Sequence, residues 1–275
     1  QRILTAFWPD ELHQRTLEES RVLVGADAVI VATGHLHQLA RDWQGVDGRN
    51  TVIAVLDDGI DRLHATFSEV QETGPNISAI IEEACYSVSG ANSACAGGAA
   101  TAFGTGSACN RDPTFCTHGT HVAAIAMGRG SGGFHRGVSR AELIAVNVFH
   151  KTPEGLFATT ANILAGINLV VSRSDTSRNI VAVNMSLGSG LFSTPCTTSP
   201  YRTAFQTLVA RNIAPVVATG NNGVFGQIGS PACVPEAISV GSSTKTDQIS
   251  SFSNLSSFTS LVAPGTSIIS AQAYT

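Results

Sequence analysis

Apolar residues along this chain fall into two alternating patterns, short continuous runs and helical spacings. The continuous runs are rich in β-branched residues, which is typical of strands buried on both faces of a parallel sheet. They are Thr51–Leu56, Ile77–Ile81, Ala141–Phe149, Asn179–Met185 and Ile213–Ala218. The helical spacings are those of Leu36, Leu39, Ala40 and Trp43 within His35–Trp43, of Ile163, Leu164, Ile167, Val170 and Val171, and of Tyr201, Phe205, Leu208 and Val209. This alternation predicts an α/β domain with a mostly parallel central sheet covered by helices on both faces.

One further helix begins within Phe115–Gly128, where a short polar turn runs into apolar residues. Thr117 is the predicted N-cap, which places His118 in the first helical turn. The positive end of a helix dipole disfavours the imidazolium form. A histidine at this position is therefore a candidate general base.

Composition narrows the class of protein. The 275 residues are 43% hydrophobic and 13% charged, with a formal net charge of −4, as expected for a compact globular enzyme. Arginine and lysine form no stripe, which argues against a nucleic-acid partner, and no apolar run is long enough to span a bilayer. Residues 21–275 read as one domain, while residues 1–20 are charged and irregular, like a lead-in.

Six cysteines favour disulfide bonds and hence an oxidising, extracellular compartment. They are Cys85, Cys95, Cys109, Cys116, Cys196 and Cys233. Three disulfides can pair them in about fifteen ways. Four of the six bracket Gly90–Asn110, which is predicted to be a stapled loop.

Four polar stretches follow predicted strands or begin a predicted helix. They are Asp57-Asp58-Gly59, His118-Gly119-Thr120-His121, Ser186-Leu187-Gly188 and Gly220-Asn221-Asn222-Gly223. Carboxyl ends of parallel strands meet at one sheet edge, where open α/β folds place their sites. An acid, an imidazole and an amide at that edge are the groups that acyl-transfer catalysis requires.

Each stretch also has a plainer interpretation. Asp57 could be an ordinary turn residue, His121 a packing residue, Ser186-Leu187-Gly188 simply the end of a strand, and Asn222-Gly223 a common turn dipeptide. A zinc site built from Cys109, Cys116, His118 and His121 is a further alternative. However, the histidines lack the intervening Glu of an H-E-x-x-H helix and the cysteines lack C-x-x-C spacing, so no metal site is assigned.

Seven stretches resemble the successive signatures of the subtilisin-like serine proteases, the subtilases. They are Val52–Asp61, His118–Ala123, Asn184–Gly188, Ala218–Gly223, Ala237–Gly241, Ser250–Phe252 and Ala263–Ser270. The order follows the family's sequence of acid, histidine and serine, and the combination of HGTHVA with GNNG is the most specific part. The resemblance implies a three-layer subtilisin-like fold and hydrolysis of peptide bonds through an acyl-enzyme.

The resemblance also implies individual roles. Asp57 would be the triad acid, His118 the general base and Asn221 the donor to the oxyanion. Because the helix dipole lowers the pKa of His118 and Asp57 raises it, we expect a pKa near neutrality. The substrate backbone would pair with Ser186, Leu187 and Gly188 on one side and with Leu156, Phe157 and Ala158 on the other.

The implied pocket for the side chain before the scissile bond consists of Gly220–Asn222 and Gly229–Ala232. These stretches carry no charge, which predicts a preference for apolar side chains. Ser230-Pro231 falls where the family often has a cis-proline turn. Cys196 with Cys233 is the first pairing expected, leaving the other four cysteines to pair within the loop.

The sequence departs from the family pattern at three places. The family's G-T-S-M-A-x-P motif does not occur before Thr275, and Gly265-Thr266-Ser267 fits the earlier A-P-G segment, so we expect the nucleophile beyond this chain and no activity from the chain alone. Residues 1–20 resemble the end of an inhibitory propeptide. Thr66 stands where many subtilisins have a calcium-binding Asp, so calcium remains possible without an assignable site.

The sequence therefore predicts a secreted, monomeric serine endopeptidase as the parent protein, acting on peptides or proteins and inhibited by its own propeptide. The rival interpretation is a non-catalytic peptide-binding module derived from the same family. The presence of Asp57, His118 and Asn221 together argues against the rival, because a pure binder does not need them.

Overall fold

The computed structural model describes residues 47–69, 77–109, 115–129, 137–176 and 178–273. The predicted helix His35–Trp43 and the lead-in of residues 1–20 lie outside these ranges.

In chain order the strands are β1 (Val52–Asp57), β2 (Ser68–Glu69), β3 (Ile77–Ser78), β4 (Ile80–Tyr86), β5 (Thr101–Phe103), β6 (Glu142–Asn147), β7 (Phe149–Thr152), β8 (Gly155–Ala158), β9 (Ile180–Met185), β10 (Ser189–Phe192), β11 (Ala214–Ala218), β12 (Ile228–Ser230), β13 (Ile238–Ser243) and β14 (Leu261–Pro264). The helices are α1 (Thr117–Met127), α2 (Thr160–Ser174) and α3 (Arg202–Ala210).

Eight strands form the central sheet, in the order β14-β13-β11-β9-β1-β6-β4-β5. All neighbouring pairs are parallel except β4 with β5 at the edge. Three small antiparallel pairs, β2–β3, β7–β8 and β10–β12, lie outside it. The sheet confirms the predicted mostly parallel α/β architecture.

The central strand β1 is buried on both faces. Leu56 packs in a core cluster that includes Ile167 of α2 and Phe205 of α3. Val55, whose side chain points the opposite way, packs in a second cluster with Met127 of α1. The two clusters place α2 and α3 on one face of the sheet and α1 on the other, which confirms the three-layer arrangement.

The stretch bracketed by cysteines, predicted to be a stapled loop, also contains regular secondary structure. It contains the edge strand β5, which pairs antiparallel with β4. This strand could not be predicted from apolar patterning, because β5 has no apolar run and its Phe103 is 61% exposed. The predicted strand Ala141–Phe149 is likewise divided into β6 and β7, since the Asn147 side chain accepts a hydrogen bond from the Phe149 N–H at 3.0 Å.

The disulfides are Cys85–Cys95, Cys109–Cys116 and Cys196–Cys233. The expected pairing is therefore confirmed, both for Cys196 with Cys233 and for the four cysteines of the loop region. Within the described ranges, none of the helices is long and apolar enough to cross a lipid bilayer.

Candidate active site

The acid and the imidazole singled out by the sequence are in direct contact. Asp57 is the last residue of β1, and its Oδ1 lies 2.7 Å from Nδ1 of His118 in the first turn of α1. The Asp57 side chain is 1% exposed, whereas that of His118 is 25% exposed. In the neutral ring, a carboxylate that accepts a hydrogen bond from Nδ1–H keeps the proton on Nδ1 and leaves Nε2 open to accept a proton from another group.

The start of α1 differs from its prediction. Thr117 is the first helical residue and not the N-cap; Cys116 precedes the helix in the left-handed conformation, with φ 71°, and its side chain makes no capping bond. Its disulfide to Cys109 and the hydrogen bond from its N–H to the Asp58 carbonyl, 3.1 Å, hold the residue there. The side-chain cap comes instead from Asp58, whose carboxylate accepts from the N–H groups of His118 at 3.2 Å and Gly119 at 2.7 Å.

Glycine is required where β1 and α1 meet. Gly59 has φ +109°, a region that other residues rarely adopt, and a Cβ there would collide with the Ala108 carbonyl. A Cβ at Gly119 would collide with the Gly59 carbonyl and lie 3.1 Å from Cβ of Asp57. The two glycines therefore allow the helix to approach the strand end closely enough for the Asp57–His118 contact.

The electrostatics of this pair correct one expectation. Burial lowers the pKa of His118, but the charge and hydrogen bond of Asp57, together with the charge of Asp58, outweigh it and raise that pKa to about 9. The expected value near neutrality is therefore wrong, because that expectation set one carboxylate against the helix dipole, whereas the charges of both Asp57 and Asp58 act on the ring. Burial, followed by the charge of Asp57, raises the pKa of Asp58.

Sequence reasoning missed Asn147, a fully buried residue that ends β6 beside β1. Its Nδ2 donates to the carbonyls of Asp58 at 2.8 Å and Ala108 at 3.3 Å. Asn147 thereby ties the turn after β1 to the disulfide-bonded loop. The available signal was a polar residue at the end of an apolar run, in a strand neighbouring the one that ends in Asp57.

The glycine-rich stretch after β11 is organised by Asn254, which sequence reasoning also missed. The Asn254 Oδ1 accepts from the Asn222 N–H at 2.8 Å, and its Nδ2 donates to the Asn222 Oδ1 at 3.1 Å. Gly220 has φ +110°, and a Cβ there would lie 2.5 Å from the Asn254 Nδ2. Asn222 is therefore fixed by its neighbour, whereas the side chain of Asn221 is exposed and makes no hydrogen bond to the described residues.

A cavity of about 170 Å³ opens at the carboxyl ends of β11, β13 and β14. Gly220 and Asn221 line it, but the other predicted pocket residues do not. Strand β11 is separated from β1 by β9, which puts the two strand ends about 10 Å apart at normal strand spacing. The amide and the acid–base pair thus lie along the same edge of the sheet.

The predicted substrate-pairing segments lie at strand ends and edges. Ser186, Leu187 and Gly188 follow β9, and their backbones make no hydrogen bond to the described residues, while the Leu187 side chain is buried in the core. Leu156, Phe157 and Ala158 belong to β8, the second strand of a hairpin with β7. Gly229 and Ser230 lie in β12, and the Ser230–Pro231 peptide is cis, as the resemblance implied.

His121 packs one turn along α1 from His118. Its Nε2 donates to the Ile268 carbonyl at 3.2 Å, and the Ser270 hydroxyl donates to the His121 carbonyl at 2.8 Å. Burial, followed by the charge of His118, lowers the pKa of His121. Ser267 is exposed in the turn after β14 and makes no hydrogen bond to His118.

The described residues do not fit a calcium site of the expected kind. Thr66 is fully buried, and its N–H donates to His64 Nδ1 at 3.1 Å. No group of three or more His, Cys, Asp or Glu side chains in the described ranges could hold a metal ion.

The fold and the acid–base pair define the class of protein: a parallel α/β domain with an imidazole held by a buried carboxylate at the carboxyl edge of its sheet. The family model for the Subtilase family matches residues 48–275. The chain belongs to the subtilase family.

Similar proteins agree with this assignment. Residues of this chain are 36% identical over 159 residues to Alkaline protease 1 of Emericella nidulans, a match covering 56% of this chain and 35% of that protein. They are 38% identical over 156 residues to the subtilisin-like serine protease AsES of Sarocladium strictum, covering 56% of this chain and 37% of that protein. The chain thus spans about a third of the length of these relatives.

Solved structures support the fold. A cold-adapted subtilisin-like serine proteinase superimposes with a TM-score of 0.59 at 25% identity, covering 90% of this chain and 74% of that one. Sphericase gives a TM-score of 0.62 at 23% identity with the same coverages, 90% and 74%.

Proposed function

We propose that this chain is the acid- and base-bearing part of a serine endopeptidase that hydrolyses peptide bonds through an acyl-enzyme. The single observation that carries the proposal is the 2.7 Å contact between the buried Asp57 carboxylate and His118 Nδ1. The serine of the triad would come from the parent protein beyond Thr275. Family membership supports the reaction type, since subtilases are serine proteases.

In the proposed reaction, His118 acts first as base and then as acid. Its Nε2 takes the proton of the serine hydroxyl as that oxygen attacks the peptide carbonyl, and then gives the proton to the departing amine. Water attacks the acyl-enzyme in the same way and restores the serine. Asp57 keeps the Nδ1 proton in place and stabilises the imidazolium that forms in each half of the reaction.

Asn221 is the proposed donor to the oxyanion. Its side chain is exposed at the sheet edge, and Asn254 fixes the neighbouring Gly220 and Asn222 so that the turn holds one conformation. A donor of this kind is worth about 10²–10³ in kcat. Ser186, Leu187 and Gly188 would pair with the substrate backbone as an added strand, because their own backbone groups are not used within the described residues.

We expect the enzyme to prefer apolar side chains before the scissile bond. Gly220–Asn222 and Gly229–Ala232 contribute no charged group to the proposed pocket. Peptide p-nitroanilides that differ only in Phe or Lys at that position test this on the full-length gene product. Higher kcat/KM for the Lys substrate would rule the preference out.

The experiment that tests the proposed function is a comparison of Asp57→Asn and His118→Ala with the wild type in the full-length gene product. We expect Asp57→Asn to lose about 10⁴-fold in kcat, because the imidazole then adopts the wrong tautomer. Asp175→Asn is the control, since that carboxylate is exposed and, among the residues that the structure describes, pairs with Arg211 at the surface. Labelling by a sulfonyl fluoride should require His118.

The same experiment addresses the non-catalytic alternative. A full-length protein that binds peptides but neither cleaves them nor reacts with the sulfonyl fluoride would identify a peptide-binding module. The three disulfides support an extracellular location. We also propose that the enzyme is a monomer and that its own propeptide inhibits it before maturation.

A further inference from the structure

Asp58 is a fully buried carboxylate that the proposed mechanism does not use. A buried carboxylate is strongly unfavourable unless hydrogen-bond donors surround it. Both of its oxygens meet donors here: Oδ1 accepts from Gly119 N–H at 2.7 Å and Oδ2 accepts from His118 N–H at 3.2 Å. These are two of the N–H groups that the first turn of a helix leaves without intrahelical partners.

The main chain of Asp58 binds the same region. Its carbonyl accepts from the Cys116 N–H at 3.1 Å and from Asn147 Nδ2 at 2.8 Å. Side chain and main chain together therefore hold three N–H groups around the start of α1, those of Cys116, His118 and Gly119. No other described residue makes side-chain hydrogen bonds to the N–H groups of this first turn.

Asp57 and Asp58 thus bind the same histidine at different points. Asp57 contacts the imidazole ring, and Asp58 contacts the backbone that carries it. The ring contact fixes the tautomer and the ring plane, while the backbone contact fixes where the side chain begins. A displacement of about 1 Å in a reacting group can cost about 100-fold in rate.

We propose that Asp58 is a positioning residue, which holds His118 in register with Asp57 by binding the N-terminus of α1. The inference rests on the proposed function, in which His118 is the general base. It adds a residue that touches neither substrate nor reacting atoms.

The charge of Asp58 gives this positioning role a second readout, the pH dependence of the rate. Asp57 and Asp58 at the end of β1 both favour the imidazolium form of His118. From α1 itself, His121 faces His118, and from β6 the neutral Asn147 faces Asp58. Removing the negative charge of Asp58 would therefore lower the pKa of His118, so that the basic form of the ring persists to lower pH.

The test uses Asp58→Ala, Asp58→Asn and Asp58→Ser in the full-length gene product, with kcat and KM measured across pH. We expect Asp58→Ala to lose about 10- to 100-fold in kcat with little change in KM, since the substrate contacts remain. Asn and Ser are good helix caps and should restore part of kcat. All three should shift the acid limb of the kcat profile to lower pH.

Asp47→Asn is the matched control. Asp47 is also buried, accepts the Arg49 N–H at 3.0 Å, and precedes β1 at the opposite end of the strand. It should leave both kcat and the acid limb at wild-type values. The circular dichroism spectrum and melting temperature of each variant identify those that fold.

The outcomes separate this inference from the proposed function. If Asp57→Asn and His118→Ala abolish activity but folded Asp58→Asn keeps the wild-type acid limb and kcat, the role of Asp58 is wrong and the proposed function stands. If Asp57→Asn and His118→Ala leave activity unchanged, both are wrong. Should Asp58→Ala fail to fold, Asn and Ser decide, because either one with a wild-type profile overturns the proposal.

Discussion

The first turns of α1 and α2 are held in different ways. In α2, Thr159 precedes the helix in an extended conformation, and its hydroxyl accepts from the Asn162 N–H at 3.1 Å, only three residues along the chain. In α1 the equivalent acceptor is the carboxylate of Asp58, about sixty residues earlier. One helix start is specified by neighbouring sequence and the other by the tertiary fold.

The difference follows what each helix carries. Helix α2 contributes apolar residues such as Ile163 and Ile167 to the core, and a small shift along its axis changes only packing. Helix α1 carries His118, whose ring must meet Asp57 at hydrogen-bond distance. Because the cap comes from Asp58, directly after Asp57, the start of α1 and the Asp57 carboxylate are held in fixed positions relative to each other.

The largest expected effect comes from separating α1 from β1. Gly119→Ala places a methyl group against the Gly59 carbonyl, a backbone atom that cannot move aside, so we expect kcat to fall by about 100-fold or more. Gly166→Ala in α2 is the matched change, because its methyl group would lie 2.9 Å from the flexible Leu56 side chain. It should destabilise the fold by about 1–3 kcal/mol and spare kcat. Equal losses of kcat would contradict the comparison.

Second in size is a pH effect confined to α1, since α1 carries His118 and α2 contains no histidine. With the pKa of His118 raised from 6.5 to about 9, kcat/KM should fall about tenfold for each pH unit below 9. Stability should move the other way: the contribution of this raised pKa is complete below about 6.5 and is lost as pH rises through about 9.

Two measurements check this pair of opposite trends, the pH profile of kcat/KM and the melting temperature between pH 6 and 10. His118→Gln should flatten the decline in melting temperature. If kcat/KM reaches its plateau below pH 7, the two carboxylates do not raise the pKa of His118 as described.

The disulfide next to α1 should have a smaller effect on the rate and a measurable effect on stability. Replacing Cys109 and Cys116 by Ser opens a short loop, worth about 2–3 kcal/mol, and frees the residue that precedes the helix. Replacing Cys196 and Cys233 opens a longer loop, worth about 4 kcal/mol, away from α1. Only the replacement of Cys109 and Cys116 should lower kcat in the folded fraction. Urea unfolding measures the stability of each variant, and active-site titration relates kcat to the amount of folded enzyme. A loss of kcat on replacing Cys196 and Cys233 as well would contradict this prediction.

The smallest expected effect belongs to the local cap of α2. Thr159→Ala should cost about 1 kcal/mol of unfolding free energy, through loss of the bond from the Asn162 N–H. The kcat profile should keep its acid limb, because no charge near His118 changes. A shift of that limb on removing the α2 cap would mean that the two helix starts are coupled after all.

Much of the fold could be predicted because its signals are local. Continuous apolar runs marked β1, β9 and β11, since strands buried on both faces need apolar residues at every position. The meeting of Asp57 and His118 followed from family resemblance and from the rule that strand ends share an edge. The edge strand β5 escaped prediction because an exposed edge places no such demand on sequence.

The details of the site were less accessible because they depend on contacts between distant segments. Thr117 has the residue type of an N-cap, and nothing near it in the sequence shows that Cys116 adopts a left-handed conformation or that Asp58 supplies the cap. Asn147 and Asn254 act in the same way, as single polar residues that brace turns contributed by other parts of the chain. A pattern read along one segment cannot identify such partners.

The long-range cap of α1 also bears on how the molecule folds. A contact between Asp58 and the His118 N–H closes a long stretch of chain, and such non-local contacts form late because loop closure costs entropy before the contact is gained. An early folding intermediate with β1 and α1 undocked would hold no oriented base. If the parent protein is the proposed protease, its activity would then arise only with the completed fold, so that an undocked intermediate could not attack other chains that are still unfolded.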